Sequence, residues 1–260
     1  MKILFILIIT FLLVISISKS QLVDVNIKEV TKVETTNMDY NSTVTDGKPF
    51  KMNVELFNSG SVGYKARIRL DIFDKDNLIF TGWSDERNFV PGTRENYDLY
   101  WYPSNFKGKF KASIRVYFAN EINKIKEINF EVKTSNKSQE NIFEILDFRT
   151  YDDEVVFLLK TNKTVENIIV IPSNYTSGWI FEQSKIDKLN SGNIKIIDLK
   201  YEPTLWKEGD VSFKIFTEDG KYYTSKSFTL KKETSFWKHI YGIINSLRVF
   251  FNIQSVFNKY

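Results

Sequence analysis

Eight carboxylates stand in short clusters along this sequence: Asp71, Asp74, Asp76, Asp85, Glu86, Asp152, Asp153 and Glu154. Two acids at the right separation can hydrolyse a glycosidic bond, one protonating the leaving group and one attacking or activating water. Nearly all of these lie beside turn residues, where a solvated loop acid is the plainer expectation. Other chemistries lack their parts. His239 is the one histidine and lies beyond both strand-rich halves of the chain, so no Ser-His-Asp set assembles inside either. Without cysteine, no thiol nucleophile exists and zinc loses its preferred ligands. "DKDN" at 74–77 begins like a calcium loop but lacks the glycine at its sixth position. No catalytic residue, metal site or cofactor is assigned.

A second constellation is repeated. "LYWYPSNFKGKFKASI" and "LKYEPTLWKEGDVSFKI" align Pro103 with Pro203, Phe106 with Trp206 and Lys107 with Lys207, one hundred residues apart. Proline ends a strand, the aromatic covers the end of a core, and glycine permits the turn into the next strand. None of these is an acid, base or nucleophile, so the repeat is structural.

The third constellation is cationic. Lys65, Arg67 and Arg69 share the outward phase of "YKARIRL", and Lys109, Lys111 and Arg115 that of "KFKASIRVYF". In an immunoglobulin-like sandwich these two strands are neighbours, which would place six cations on one exposed face. Such a face attracts acidic glycans, lipid headgroups or an acidic protein even when net charge is small.

The elements that position these groups alternate with period two. "FKMNVELFN" puts Phe50, Met52, Val54 and Leu56 on one side and Lys51, Asn53 and Glu55 on the other. Seven such runs are predicted between Val23 and Lys133, beginning with "VDVNIKEVTKV", and about seven more follow "IFEILDFR". "SKIDKLN" could instead form a short helix. Asp46-Gly47, Asn58-Ser59-Gly60, Asp76-Asn77, Pro91-Gly92 and Asp219-Gly220 supply turn chemistry between runs. The fold class is therefore all-β: two tandem immunoglobulin-like β-sandwiches, 21–133 and 142–232, joined by a polar linker at 134–141.

The stretch "LYWYP", a short loop, then "GKFKASIRVYFAN", together with the Asn-x-Gly turn of "VELFNSG", resembles the CARDB domains of exported bacterial and archaeal surface proteins. The likeness covers residues 23–133 well and 140–232 in outline. Tyr201 stands near the tryptophan position of the second half, which also lacks an Asn-x-Gly turn after "EVVFLLK". The resemblance implies a non-catalytic module used for spacing or adhesion, and it carries over no catalytic residue.

Both ends bear on location. "MKILFILIITFLLVISISKSQ" has a lysine, an apolar run and small residues at Ser18 and Ser20, so residues 1–20 read as a signal peptide. Removing Lys2 and Lys19 from 36 basic residues leaves 34 against 32 acids, a net +2 that gives nucleic acid no electrostatic hold. Asn41, Asn136, Asn162 and Asn174 head Asn-x-Ser/Thr sequons, candidates for glycosylation in an exported chain. At 234–258 the period changes. Phe236, Ile240, Ile243, Ile244, Leu247, Phe250, Phe251 and Phe257 recur at three and four residues, with Trp237 at the border, as in an amphipathic α-helix. Arg248 near its middle disfavours a span by about 2.5–3.5 kcal/mol. The expected partner is a membrane surface, another envelope protein or the chain's own sandwich. Three function classes result: a surface spacer or adhesion module attached by this helix, a binder of anionic glycans or headgroups, and a carboxylate-based hydrolase.

Overall fold

The computed structural model describes residues 29–135, 139–151, 153–176, 178–203 and 209–230. The expected signal peptide, the centre of the linker, most of the second proline loop and the expected helix at 234–258 lie outside the described residues. The described residues from Thr31 to Leu230 belong to one compact unit.

Among the described residues the chain is all-β. Its first half comprises β1 (Val33–Tyr40), β2 (Thr43–Thr45), β3 (Phe50–Asn58), β4 (Tyr64–Asp74), β5 (Asn77–Trp83), β6 (Arg87–Phe89), β7 (Arg94–Trp101), β8 (Gly108–Phe118) and β9 (Glu121–Lys133). The second comprises β10 (Phe143–Thr150), β11 (Glu154–Thr161), β12 (Val165–Ser173), β13 (Ile180–Phe181), β14 (Ser184–Leu189), β15 (Ile194–Glu202), β16 (Gly209–Thr217) and β17 (Tyr223–Leu230). The sheets run β1-β3-β7 and β2-β9-β8-β4-β5 in the first half, with β6 beside β4, then β10-β11-β15-β13 and β14-β12-β16-β17. Among the described residues, no sheet mixes strands from before and after the linker.

Alternation does what the sequence demands of it. Along β3 every second residue from Phe50 to Leu56 is fully buried. Trp101 packs on Phe106, Phe110 and Phe130 with ring centroids 5.4–5.8 Å apart, so the proline-loop aromatic does close the end of the first core. Asn58 secures the "FNSG" turn: its side-chain amide donates to the Val62 and Phe89 carbonyls, and its Oδ1 accepts from the Gly60 N–H.

Three expectations fail locally. "SKIDKLN" is strand β14, not helix, because Ile186 and Leu189 meet the second core while β14 pairs with β12. The opening strand runs at Val33–Tyr40 and meets the expected run only at Val33. It pairs with β3 around a bulge, and its exposed face blurs the alternation. "GWIFEQ" contributes only the two-residue strand β13.

The two halves meet face to face. β12 is buried on both sides from Ile168 to Ser173: Ile168 and Val170 enter the second core, while Ile169 and Ile171 join the first. β16 repeats the division, with Phe213 and Ile215 facing one way and Phe216 the other. Phe216 meets Tyr102, which stacks on Tyr223 with centroids 4.4 Å apart and planes 6° from parallel. Several polar groups pair across the seam. The Tyr100 N–H donates to Gln183 Oε1 and Gln183 Nε2 donates back to the Tyr100 carbonyl, both at 2.8 Å. Lys51 pairs with Glu218 at 2.6 Å, and Lys214 donates to the Tyr102 carbonyl at 3.1 Å. The turn tips close in as well. Gly220, at φ +67°, lies so near the Gly47 carbonyl that a side chain there would meet it at 2.8 Å.

Candidate functional site

The expected strand adjacency is present. β4 pairs with β8, placing Arg69 opposite Arg115, Arg67 opposite Tyr117 and Phe73 opposite Lys111. The face carries much less free charge than six cations would give. Glu86 takes Lys65 at 2.9 Å, and Glu202 of the second half takes Arg67 through two hydrogen bonds at 2.7 and 3.0 Å. Lys111 sits over the Phe73 ring, and Lys109 projects at the exposed end of β8.

Asp71 departs from the expectation of a solvated loop acid. It sits in mid-β4 on the outward phase, yet is only 1% exposed. Arg69 Nε and Thr81 Oγ1 donate to its Oδ1 at 2.8 and 2.7 Å, and Arg115 approaches its Oδ2 at 3.5 Å. A buried carboxylate survives because two guanidiniums and a hydroxyl replace its water. The signal was legible: Arg69 and Asp71 are two apart in a strand, hence on one face.

This outward face is covered by the loop that leaves β12. Tyr175 OH donates to the Thr81 carbonyl at 2.9 Å, and burial holds its phenol above the ordinary tyrosine value. Between loop and sheet lies a groove of ≈ 490 Å³ lined by Arg69, Trp83, Tyr117, Asn174, Tyr175 and Trp179, among others. Trp83 packs edge-on to Tyr117 at 4.8 Å, and the Arg67 and Arg69 guanidiniums lie 5.5 and 5.4 Å from its ring centroid. Sequence reasoning placed neither Trp83 nor Asn174, Tyr175 and Trp179 here, because that contact joins residues about a hundred positions apart.

Most of the other candidate acids stand apart. Asp74 and Asp76 occupy the β4–β5 turn, where Lys75 takes φ 55°, and Asp152 is outside the described residues. Asp85 and Glu154 do line one groove, of ≈ 560 Å³, together with Glu182 and Asp198. Arg87 holds Asp85 through Nε at 2.7 Å, and burial raises the Glu182 carboxyl above its usual range while the Glu86 N–H donates to it at 3.1 Å. Among the described residues, no group of three or more acids or histidines could hold a metal ion.

Asn41, Asn162 and Asn174 are exposed in loops; Asn136 is outside the described residues, as are Phe236, Trp237, Ile240, Ile243, Ile244, Leu247, Phe250, Phe251 and Phe257. Among the described residues no helix is long and apolar enough to cross a membrane.

No protein-family model and no curated protein matches this sequence. Among solved structures the chain is similar to a CARDB domain of Pyrococcus furiosus, in complex with di-metal ions. Identity there is 16%, over 41% of this chain and 96% of that one, with a TM-score of 0.31. An alkylpurine DNA glycosylase of Pseudomonas fluorescens, bound to DNA containing an abasic site analog, gives 9% identity over 40% and 31% of the two chains, TM-score 0.32. Red sea bream transglutaminase gives 8% over 79% and 32%, TM-score 0.31. The likeness to the CARDB domain is one of fold, and none of the three says what this chain binds or does.

Proposed function

We propose that this chain is an exported, non-catalytic cell-envelope protein whose two immunoglobulin-like sandwiches form a stiff spacer, attached to a membrane surface or an envelope partner through residues 234–258. The observation that carries the reading is the seam. Strands β12 and β16 are buried on both faces, and the Gln183 amide clamps the Tyr100 backbone on both its polar groups. A linker-hinged pair would leave such surfaces wet, whereas a spacer gains from holding its halves at one angle. The apolar run at 3–17 supports export, and the helical stripe at 236–257 supports attachment. Against a hydrolase, Arg87 occupies Asp85, the acid nearest in sequence to Glu86.

Two measurements test this. Native cells are fractionated with and without residues 234–260; loss of the protein from the envelope fraction on deletion is expected, and unchanged retention removes the attachment. The chain has no cysteine, so cysteines introduced at the exposed Asn123 and Lys195 carry spin labels cleanly. A single narrow distance distribution is expected, and a broad one sinks the stiff spacer.

A further inference from the structure

We infer that the groove between Arg69 and the residues Asn174, Tyr175 and Trp179 that follow β12 is a binding site for an acidic sugar residue, a function beyond the spacer role and independent of it. The charge is uneven there. Arg69 and Arg115 share the single carboxylate of Asp71, and of the two Arg69 lines the groove. Glu127, across the β8–β9 pair, is already held by Lys124 at 2.8 Å. The walls are aromatic: Tyr117 and Tyr175 are half-buried, braced by Trp83 at 4.8 Å and by Phe181 at 5.2 Å. Rings with an apolar body and a polar tip suit a sugar, whose C–H face packs on the ring while its hydroxyls seek hydrogen bonds. Asn174, exposed at the rim, supplies both donors and an acceptor.

A second, independent observation points the same way. Trp83 Nε1 and Ser113 Oγ are buried polar atoms with no hydrogen-bond partner among the described residues. Trp83 lines the groove, and Ser113 lies opposite Asp71 on the neighbouring strand. Unspent buried donors are rare in a finished fold, and here one of the two belongs to a residue of the groove wall. A uronate brings an acceptor for the Trp83 N–H and a carboxylate for Arg69, both on the groove wall. A volume of ≈ 490 Å³ holds one or two sugar rings.

The test titrates the full chain with sodium glucuronate, glucose and sodium acetate, following ring resonances by NMR. Glucuronate is expected to bind at about millimolar affinity, with glucose at least tenfold weaker and acetate silent. Transferred contacts from the sugar protons to the Tyr117 and Tyr175 rings place it without any variant. Arg69→Gln and Tyr117→Ala should each weaken glucuronate at least tenfold while thermal melting confirms a retained fold. Equal binding of glucose and glucuronate removes the role of the arginine. Acetate binding as tightly as glucuronate reduces the groove to an anion site and overturns the sugar. No binding, or ring contacts elsewhere, overturns the whole inference. So does a native mass showing Asn174 glycosylated, because the chain's own glycan would then fill the rim.

Discussion

The two sheets of the second half are built on the same alternation, yet their outer faces meet different fates. On β14-β12-β16-β17 the outer row of Ile169, Ile171 and Phe216 is fully buried against the first half. On β10-β11-β15-β13 the outer row includes Ile194 and Ile196, 55% and 62% exposed. Both strands carry isoleucine on both phases, so apolar content does not decide which face is covered. The difference lies in the polar residues between. On the covered face Lys214 reaches a carbonyl of the partner half, and Gln183 satisfies a backbone N–H and C=O together. On the open face Asp198 and Lys200 are exposed. A docked sheet needs its few polar groups matched across the seam; an open one does not.

The largest test of this contrast is Phe216→Ala. Truncating a buried aromatic that joins both halves should cost about 4 kcal/mol in urea unfolding. A cost below 1 kcal/mol would mean the seam is loose. Gln183→Ala should follow at about 2 kcal/mol, since it leaves two buried backbone groups of Tyr100 unpaired. An effect no larger than that of a surface glutamine would break the comparison.

Lys214 sharpens it through pH. Burial lowers its ammonium from 10.5 to about 8, so the folded state releases this proton before the unfolded one does. The penalty is full below pH 8 and is relieved as pH rises from about 8 towards 10.5, where stability should climb relative to a variant without the group. Lys214→Met should be more stable by roughly 2 kcal/mol at pH 7, with the gain fading between about pH 8 and 10.5. The difference between the two proteins isolates the lysine from Tyr100 and Tyr102, whose phenols burial holds above the ordinary value. A gain that does not vary with pH would place the ammonium in water. The smallest effect belongs to the open face. Ile196→Thr should change stability by no more than about 0.5 kcal/mol, against about 1.5 for Ile169→Thr in the seam.

Much of this was legible. The inward rows of β3, β4, β7 and β8 follow directly from alternation, and the adjacency of β4 and β8 from the expected sandwich. The neutralisation of the basic face was half legible. Asp71 could be read from its spacing to Arg69, but Glu202 is 135 positions from Arg67 and no local pattern announces it. Strand β14 was ambiguous because "SKIDKL" has too few apolar residues to distinguish a period of two from one of nearly four. The groove was invisible for the same reason as the seam. Both depend on how two independently patterned halves dock.

The double-sided burial of β12 has a bearing on biogenesis. A chain synthesised from its amino terminus finishes the nine-stranded half before "ENIIVIP" emerges, so a receiving surface of Tyr100 and Tyr102 already exists when that greasy ribbon arrives. Reversing the order of the halves would preserve every strand and every local turn. It would also leave Ile169, Ile171 and Phe216 bare during synthesis, open to capture by a neighbouring molecule instead of by their own leading half.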